Sequence, residues 1–135
     1  MNFHSIKKIK YWIQASRIQT LPLSISGIIV GSFYAFYNYS FDKIIFVLSI
    51  ITAISFQILS NFANDYGDGV LGTDNNRIGP KRVIASGKLT LEELKKGIIV
   101  NVFISITLSY SLIKYSFKDD YLFIVIFLFL SIFSI

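Results

Sequence analysis

Apolar positions in this chain gather into four long uncharged runs, Leu21 to Phe41, Ile44 to Asn64, Gly97 to Ile113 and Tyr121 to Ile135, separated by polar segments. The first three are about as long as a helix needs to cross the hydrocarbon of a bilayer. The pattern therefore predicts an all-α fold, a polytopic transmembrane helix bundle. The fourth run reaches the last residue with no flanking Lys or Arg and no polar tail, and it reads as a span cut short.

Local signals refine these elements. Residues 3–16 place Phe3, Ile6, Ile9, Trp12 and Ile13 at helical spacing with Lys7, Lys8 and Lys10 between them, which predicts an amphipathic helix at the membrane surface with Trp12 at headgroup level. Pro22 suits the first turn of the first span, where its missing N–H costs nothing. Gly27 and Gly31 are spaced for close approach of another helix. Gly67, Gly69 and Gly72 are expected to end the second helix and open a structured loop over residues 69–89. Thr90 followed by Glu93 is a capping-box signature, so the third helix is expected to start near Leu91.

Composition agrees with a membrane protein: 53% of the 135 residues are hydrophobic and the mean hydropathy is +0.60, too apolar for an ordinary soluble domain. The net charge of +5 is explained by topology, and no nucleic-acid partner is expected. Lys7, Lys8, Lys10 and Arg17 precede the first span, and Arg77, Lys81, Arg82, Lys88, Lys95 and Lys96 lie between the second and third, against Lys43, Lys114 and Lys118 in the other connections. This asymmetry places the N-terminus and the polar loop, residues 65–96, in the cytoplasm. The absence of cysteine excludes disulfides and thiolate metal sites. The first apolar run has full spanning length and no small-residue cleavage site, so it reads as a retained helix rather than a signal peptide.

The second span is not uniformly apolar. Gln57, Asn61, Asn64, Asp65 and Asp68 recur at three- and four-residue steps and form one stripe if the helix continues that far. Such a stripe belongs inside a helix bundle, because polar groups facing lipid are costly. Asn64, Asp65, Asp68 and the later Asp74 offer hard oxygen ligands of the kind magnesium prefers, usually completed by substrate phosphates. Arg77, Lys81 and Arg82 follow closely and can grip the remaining phosphate oxygens. Together they suit a ligand with an anionic head and an apolar tail, such as a polyprenyl diphosphate. Topology alone accounts for Lys88, Lys95 and Lys96, helix capping accounts for Glu92 and Glu93, and His4 is assigned no role.

The sequence Asn64-Asp65-x-x-Asp68, with Gly72-Thr73-Asp74 and Arg77-Ile78-Gly79-Pro80-x-Arg82, resembles the first Asp-rich motif of the UbiA superfamily of intramembrane prenyltransferases. Within it the chain is most similar to the 1,4-dihydroxy-2-naphthoate polyprenyltransferases of menaquinone biosynthesis. Those enzymes place the third Asp later than the general N-D-x-x-D-x-x-x-D pattern does, and follow it with R-I-G-P. Here position 72 is Gly and Asp74 matches that branch. Arg17-x-x-Thr20-Leu21-Pro22 resembles the family's entry into its first helix.

The resemblance implies a bundle of about nine spans, of which this chain supplies about four as the N-terminal part, residues 1–135. It implies Asp65, Asp68 and Asp74 as catalytic residues, with Asn64 joining them around Mg2+. It also implies Asn61, Asn64, Arg77, Lys81, Arg82 and Arg17 as substrate-binding residues. The reaction implied is transfer of a polyprenyl group from polyprenyl diphosphate to 1,4-dihydroxy-2-naphthoate with loss of carbon dioxide, at a bacterial inner membrane. A second Asp-rich motif belongs to a later loop of the family. The only later acids here are Glu92, Glu93, Asp119 and Asp120, so a C-terminal half is expected to be missing and the chain to be inactive alone. Two alternatives remain at this stage: another aromatic prenyltransferase of the superfamily, or a non-enzymatic membrane subunit that binds cations.

Overall fold

The computed structural model describes residues 3–72, 82–118, 121–123, 125, 126 and 129. Four helices make up most of it: α1 (Phe3–Ser16), α2 (Leu21–Asn38), α3 (Lys43–Leu71) and α4 (Leu91–Phe117), with a single 3-10 turn at Ile18–Thr20 between the first two. Three stretches, Ile6–Asn38, Lys43–Leu71 and Leu91–Phe117, are long and apolar enough to cross a membrane. Most of the fourth apolar run lies outside the described residues; its described positions 121–123, 125, 126 and 129 are helical.

The helix ends follow from local chemistry. Asp42 caps α3, its Oδ1 accepting from the backbone N–H groups of Ile44 (2.7 Å) and Ile45 (3.2 Å), which satisfies donors that a helix N-terminus leaves orphaned. Thr90 and Glu93 form the full reciprocal capping box at the start of α4. α3 runs past Gly67 and Gly69, contrary to the expectation that they end it, and stops at Gly72, which adopts the left-handed conformation (φ 68°). The glycine at 69 has another purpose: a Cβ there would lie 2.7 Å from Ile84 Cγ2. It lets the segment after the loop cross closely over α3.

α3 packs against α4, α2 and α1. Deep in its contact with α4 is a polar seam. Ser55 Oγ and Ser105 Oγ are 2.7 Å apart, and Asn101 Nδ2 donates to the Ser55 carbonyl at 2.9 Å. Small hydroxyl residues allow close backbone approach, and hydrogen bonding across the interface satisfies groups that lipid cannot. Toward the charged end of α3 the seam gives way to an apolar cluster of Ala15, Phe62, Val83, Leu89 and Leu94. Trp12 joins this cluster edge-on to Phe62, with ring centroids 5.5 Å apart, and lies against Gly97. Trp12 therefore packs inward against α3 and α4, while Ile6, Ile9 and Ile13 occupy the exposed side of α1.

A charged cluster at the end of the third helix

The stripe read from the sequence lies on α3, and most of it meets the junction of α1 and α2. Ser24 of α2 donates to Gln57 Oε1 (2.6 Å), and Gln57 Nε2 donates to Asn61 Oδ1 (3.4 Å). Asn61 Nδ2 donates to the carbonyl of Ser16, the last residue of α1 (2.9 Å), and to Thr20 Oγ1 (3.1 Å). Thr20 Oγ1 in turn donates to the Arg17 carbonyl at 2.9 Å. These bonds fasten a strained joint: Arg17 has φ 47° and ψ 58°, a left-handed conformation that disfavours a residue with a Cβ.

The joint aims Arg17 at Asp65. Its Nη2 donates to Asp65 Oδ1, and Asp65 is only 2% exposed. Arg82 reaches the same carboxylate with Nε at 3.7 Å, pairs with Asp68 through Nη1, and donates from Nη1 to the Asn64 carbonyl at 3.2 Å. Among the described residues, two carboxylates one helical turn apart are thus met by two guanidiniums. Partial burial, together with the nearby Arg17 charge, pulls the Arg82 guanidinium below its usual value, although a guanidinium stays protonated at any ordinary pH.

The structure brings Arg17, Asn61, Asp65, Asp68 and Arg82 together. Asn61 is 3% exposed and its amide is occupied by the α1–α2 junction. Asn64 is exposed, and among the described residues it is its carbonyl that meets the cluster. Asp74, Arg77 and Lys81 lie outside the described residues. Sequence reasoning missed Thr20 and Ser24 as the α2 side of this network; their four-residue spacing on a spanning segment was the available signal.

Among the described residues no group of three or more His, Cys, Asp or Glu gathers into a metal site. The donors present still fit a hard divalent cation, since Asp65 and Asp68 offer carboxylate oxygens and such ions are typically held by one or two carboxylates with water and phosphate completing the shell. Both ion pairs of Asp65 use Oδ1.

A family model, the UbiA prenyltransferase family, matches residues 24–135. The chain belongs to the UbiA prenyltransferase family. It is similar to 1,4-dihydroxy-2-naphthoate octaprenyltransferase of Escherichia coli (strain K12), with 43% identity over 103 residues, 76% of this chain and 33% of that protein. The protein of the same name from Haemophilus influenzae is 42% identical over 102 residues, 73% of this chain and 33% of its own length. That from Mycobacterium leprae is 36% identical over 75 residues, 56% of this chain and 26% of its own. The matched part thus spans about a third or less of these relatives. No solved structure matches the chain. As a UbiA family member with three apolar helices of spanning length, the chain is an integral membrane protein, and the family is generally dependent on divalent cations.

Proposed function

We propose that this chain is the N-terminal part of a Mg2+-dependent enzyme that moves a polyprenyl group from polyprenyl diphosphate to 1,4-dihydroxy-2-naphthoate, releasing carbon dioxide and giving demethylmenaquinol. The observation that carries this reading is the paired Asp65 and Asp68 at the end of a spanning helix with Arg17 and Arg82 against them. It is an assembly suited to an anionic head at the mouth of an apolar bundle. Similarity to relatives named for this naphthoate reaction supports the acceptor.

In this proposal Asp65, Asp68 and Asp74, with Asn64, hold the divalent ion. Bound there, the ion supplies positive charge to a diphosphate leaving group. Arg17, Arg77, Lys81 and Arg82 contact phosphate oxygens, adding fixed positive charge where negative charge develops as the allylic C–O bond breaks. The naphthoate ring then attacks the allylic carbon. Asn61 acts on substrate through Arg17, whose joint it fastens. The excess of Lys and Arg around it supports a cytoplasmic position for the cluster, and in this proposal the membrane is a bacterial inner membrane.

The test is prenyl transfer from a labelled polyprenyl diphosphate in membranes holding this chain alone or joined to a downstream coding segment, with and without Mg2+. The proposal expects Mg2+-dependent product from the joined form and its loss in Asp65→Ala or Asp68→Ala. Product that survives both substitutions rejects the site. No product from a complete, well-inserted form rejects the acceptor.

A further inference from the structure

Away from the charged cluster, a groove of 530 Å3 lies between α1 and α4. None of Arg17, Asp65, Asp68 and Arg82 lines it. Its chemistry is graded along α4: Glu93 and Lys96 come first, Gly97 next, then Val100, Asn101 and Ile104, with the Asn101 amide turned to the Ser55 carbonyl of α3. Lys8 faces them from α1 and pairs with Glu93. Trp12 forms the wall at the point where ionic lining changes to apolar.

The dimensions match one leaflet of a bilayer. Glu93 to Ile104 covers about 16 Å of helix, and half of a hydrocarbon core is about 15 Å. Val100 (59% exposed) and Ile104 (47%) are open to the surroundings, as a track for an acyl chain must be. The ionic end sits at the start of a spanning helix, beside a helix whose isoleucines point outward, which sets it at headgroup depth. Two lysines against one glutamate leave that end positive, complementary to a lipid phosphate.

We propose that this groove binds one anionic phospholipid, with its phosphate at Lys8 and Lys96 and one acyl chain along Val100 and Ile104. The Lys8–Glu93 pair holds the Lys8 ammonium over the headgroup position. Gly97 belongs to the device, because a Cβ there would stand 2.5 Å from Trp12 Cζ3 and push the tryptophan out of its place in the wall.

Trp12 is the only tryptophan in the chain, so it reports on the groove directly. The chain is reconstituted in phosphatidylcholine vesicles containing equal small fractions of either phosphatidylglycerol or phosphatidylcholine brominated near the top of one acyl chain, and Trp12 fluorescence is recorded. The expected result is quenching by the brominated anionic lipid that corresponds to a roughly fivefold preference, the effect of one net surface charge. Lys8→Gln with Lys96→Gln should remove the preference while leaving quenching by the brominated neutral lipid as it was, which also verifies folding. Lys114→Gln, at the opposite end of α4, should leave the preference intact. Equal quenching by the two lipids, or an equal loss in Lys114→Gln, overturns the site in favour of general surface charge. Absence of quenching by either lipid overturns it by showing that lipid does not reach the groove.

Discussion

The guanidinium of Arg17 donates to the buried carboxylate of Asp65, 48 positions away, tying the break between α1 and α2 to α3. Both partners are under constraint. Arg17 is held in a left-handed backbone conformation, and Asp65 has almost no access to water. Such a pair is costly to break from one side, because the remaining charge stays buried without compensation.

Asp65→Asn should therefore destabilise the chain by about 2–3 kcal/mol, less than for a fully buried pair because the Arg17 side chain keeps 29% of its exposure. Arg17→Gln should cost less, since Arg82 Nε remains 3.7 Å from Asp65. Thermal unfolding in detergent, followed by Trp12 fluorescence, checks the order. The double variant should lose less than the sum of the two, by about 1 kcal/mol or more. Strict additivity would contradict the pairing.

Asn61→Ala removes both donors that fasten the α1–α2 joint and one acceptor for Gln57. A loss of about 1–3 kcal/mol is expected from the buried partners left behind. Hydrogen exchange should quicken at residues 17–20 ahead of α2. Uniform change along α2 would argue against a local clamp.

Gly97→Ala should destabilise by about 1–3 kcal/mol through overpacking, outweighing the roughly 1 kcal/mol that alanine gains over glycine inside a helix. The new methyl meets Trp12 Cζ3 and Cη2 at 2.5 and 2.6 Å. Trp12 emission should shift to longer wavelength as the ring leaves the protein. An unshifted spectrum with raised stability would show that the ring has room to move.

Asp42 gives a pH signature. The N–H of Ile45 first, then the N–H of Ile44 and the Tyr115 hydroxyl, hold its carboxyl below the ordinary value of 3.8. A carboxylate with a lowered folded value stabilises the fold above its unfolded pKa and loses that contribution as pH falls through the folded one. The α3 cap should thus persist at neutral pH and weaken below about pH 4. In Asp42→Asn, which caps without ionising, this acid-dependent part of the unfolding curve should vanish.

Much of this architecture was legible in the sequence. Uncharged runs gave the spanning helices, Thr90 and Glu93 gave the start of α4, and the spacing of Gln57, Asn61, Asp65 and Asp68 gave a polar face on α3. These are local or periodic signals, and period alone fixes them. The left-handed turn at Arg17, the inward Trp12 and the crossing of Ile84 over Gly69 depend on contacts between distant parts of the chain, which no local window contains. Gly69 shows the ambiguity: glycine marks helix ends and close crossings alike, and only the partner decides which.

The hydrogen bonds of Ser55 with Asn101 and Ser105 have a mechanical consequence. Sliding α4 along α3 by one turn, about 5.4 Å, would leave these groups facing hydrocarbon with no water to replace their partners. They act as a depth gauge. Asp65 stands about 15 Å further along α3, so a handful of small polar side chains in the middle of the bilayer sets the height at which the acidic end of that helix meets the aqueous boundary.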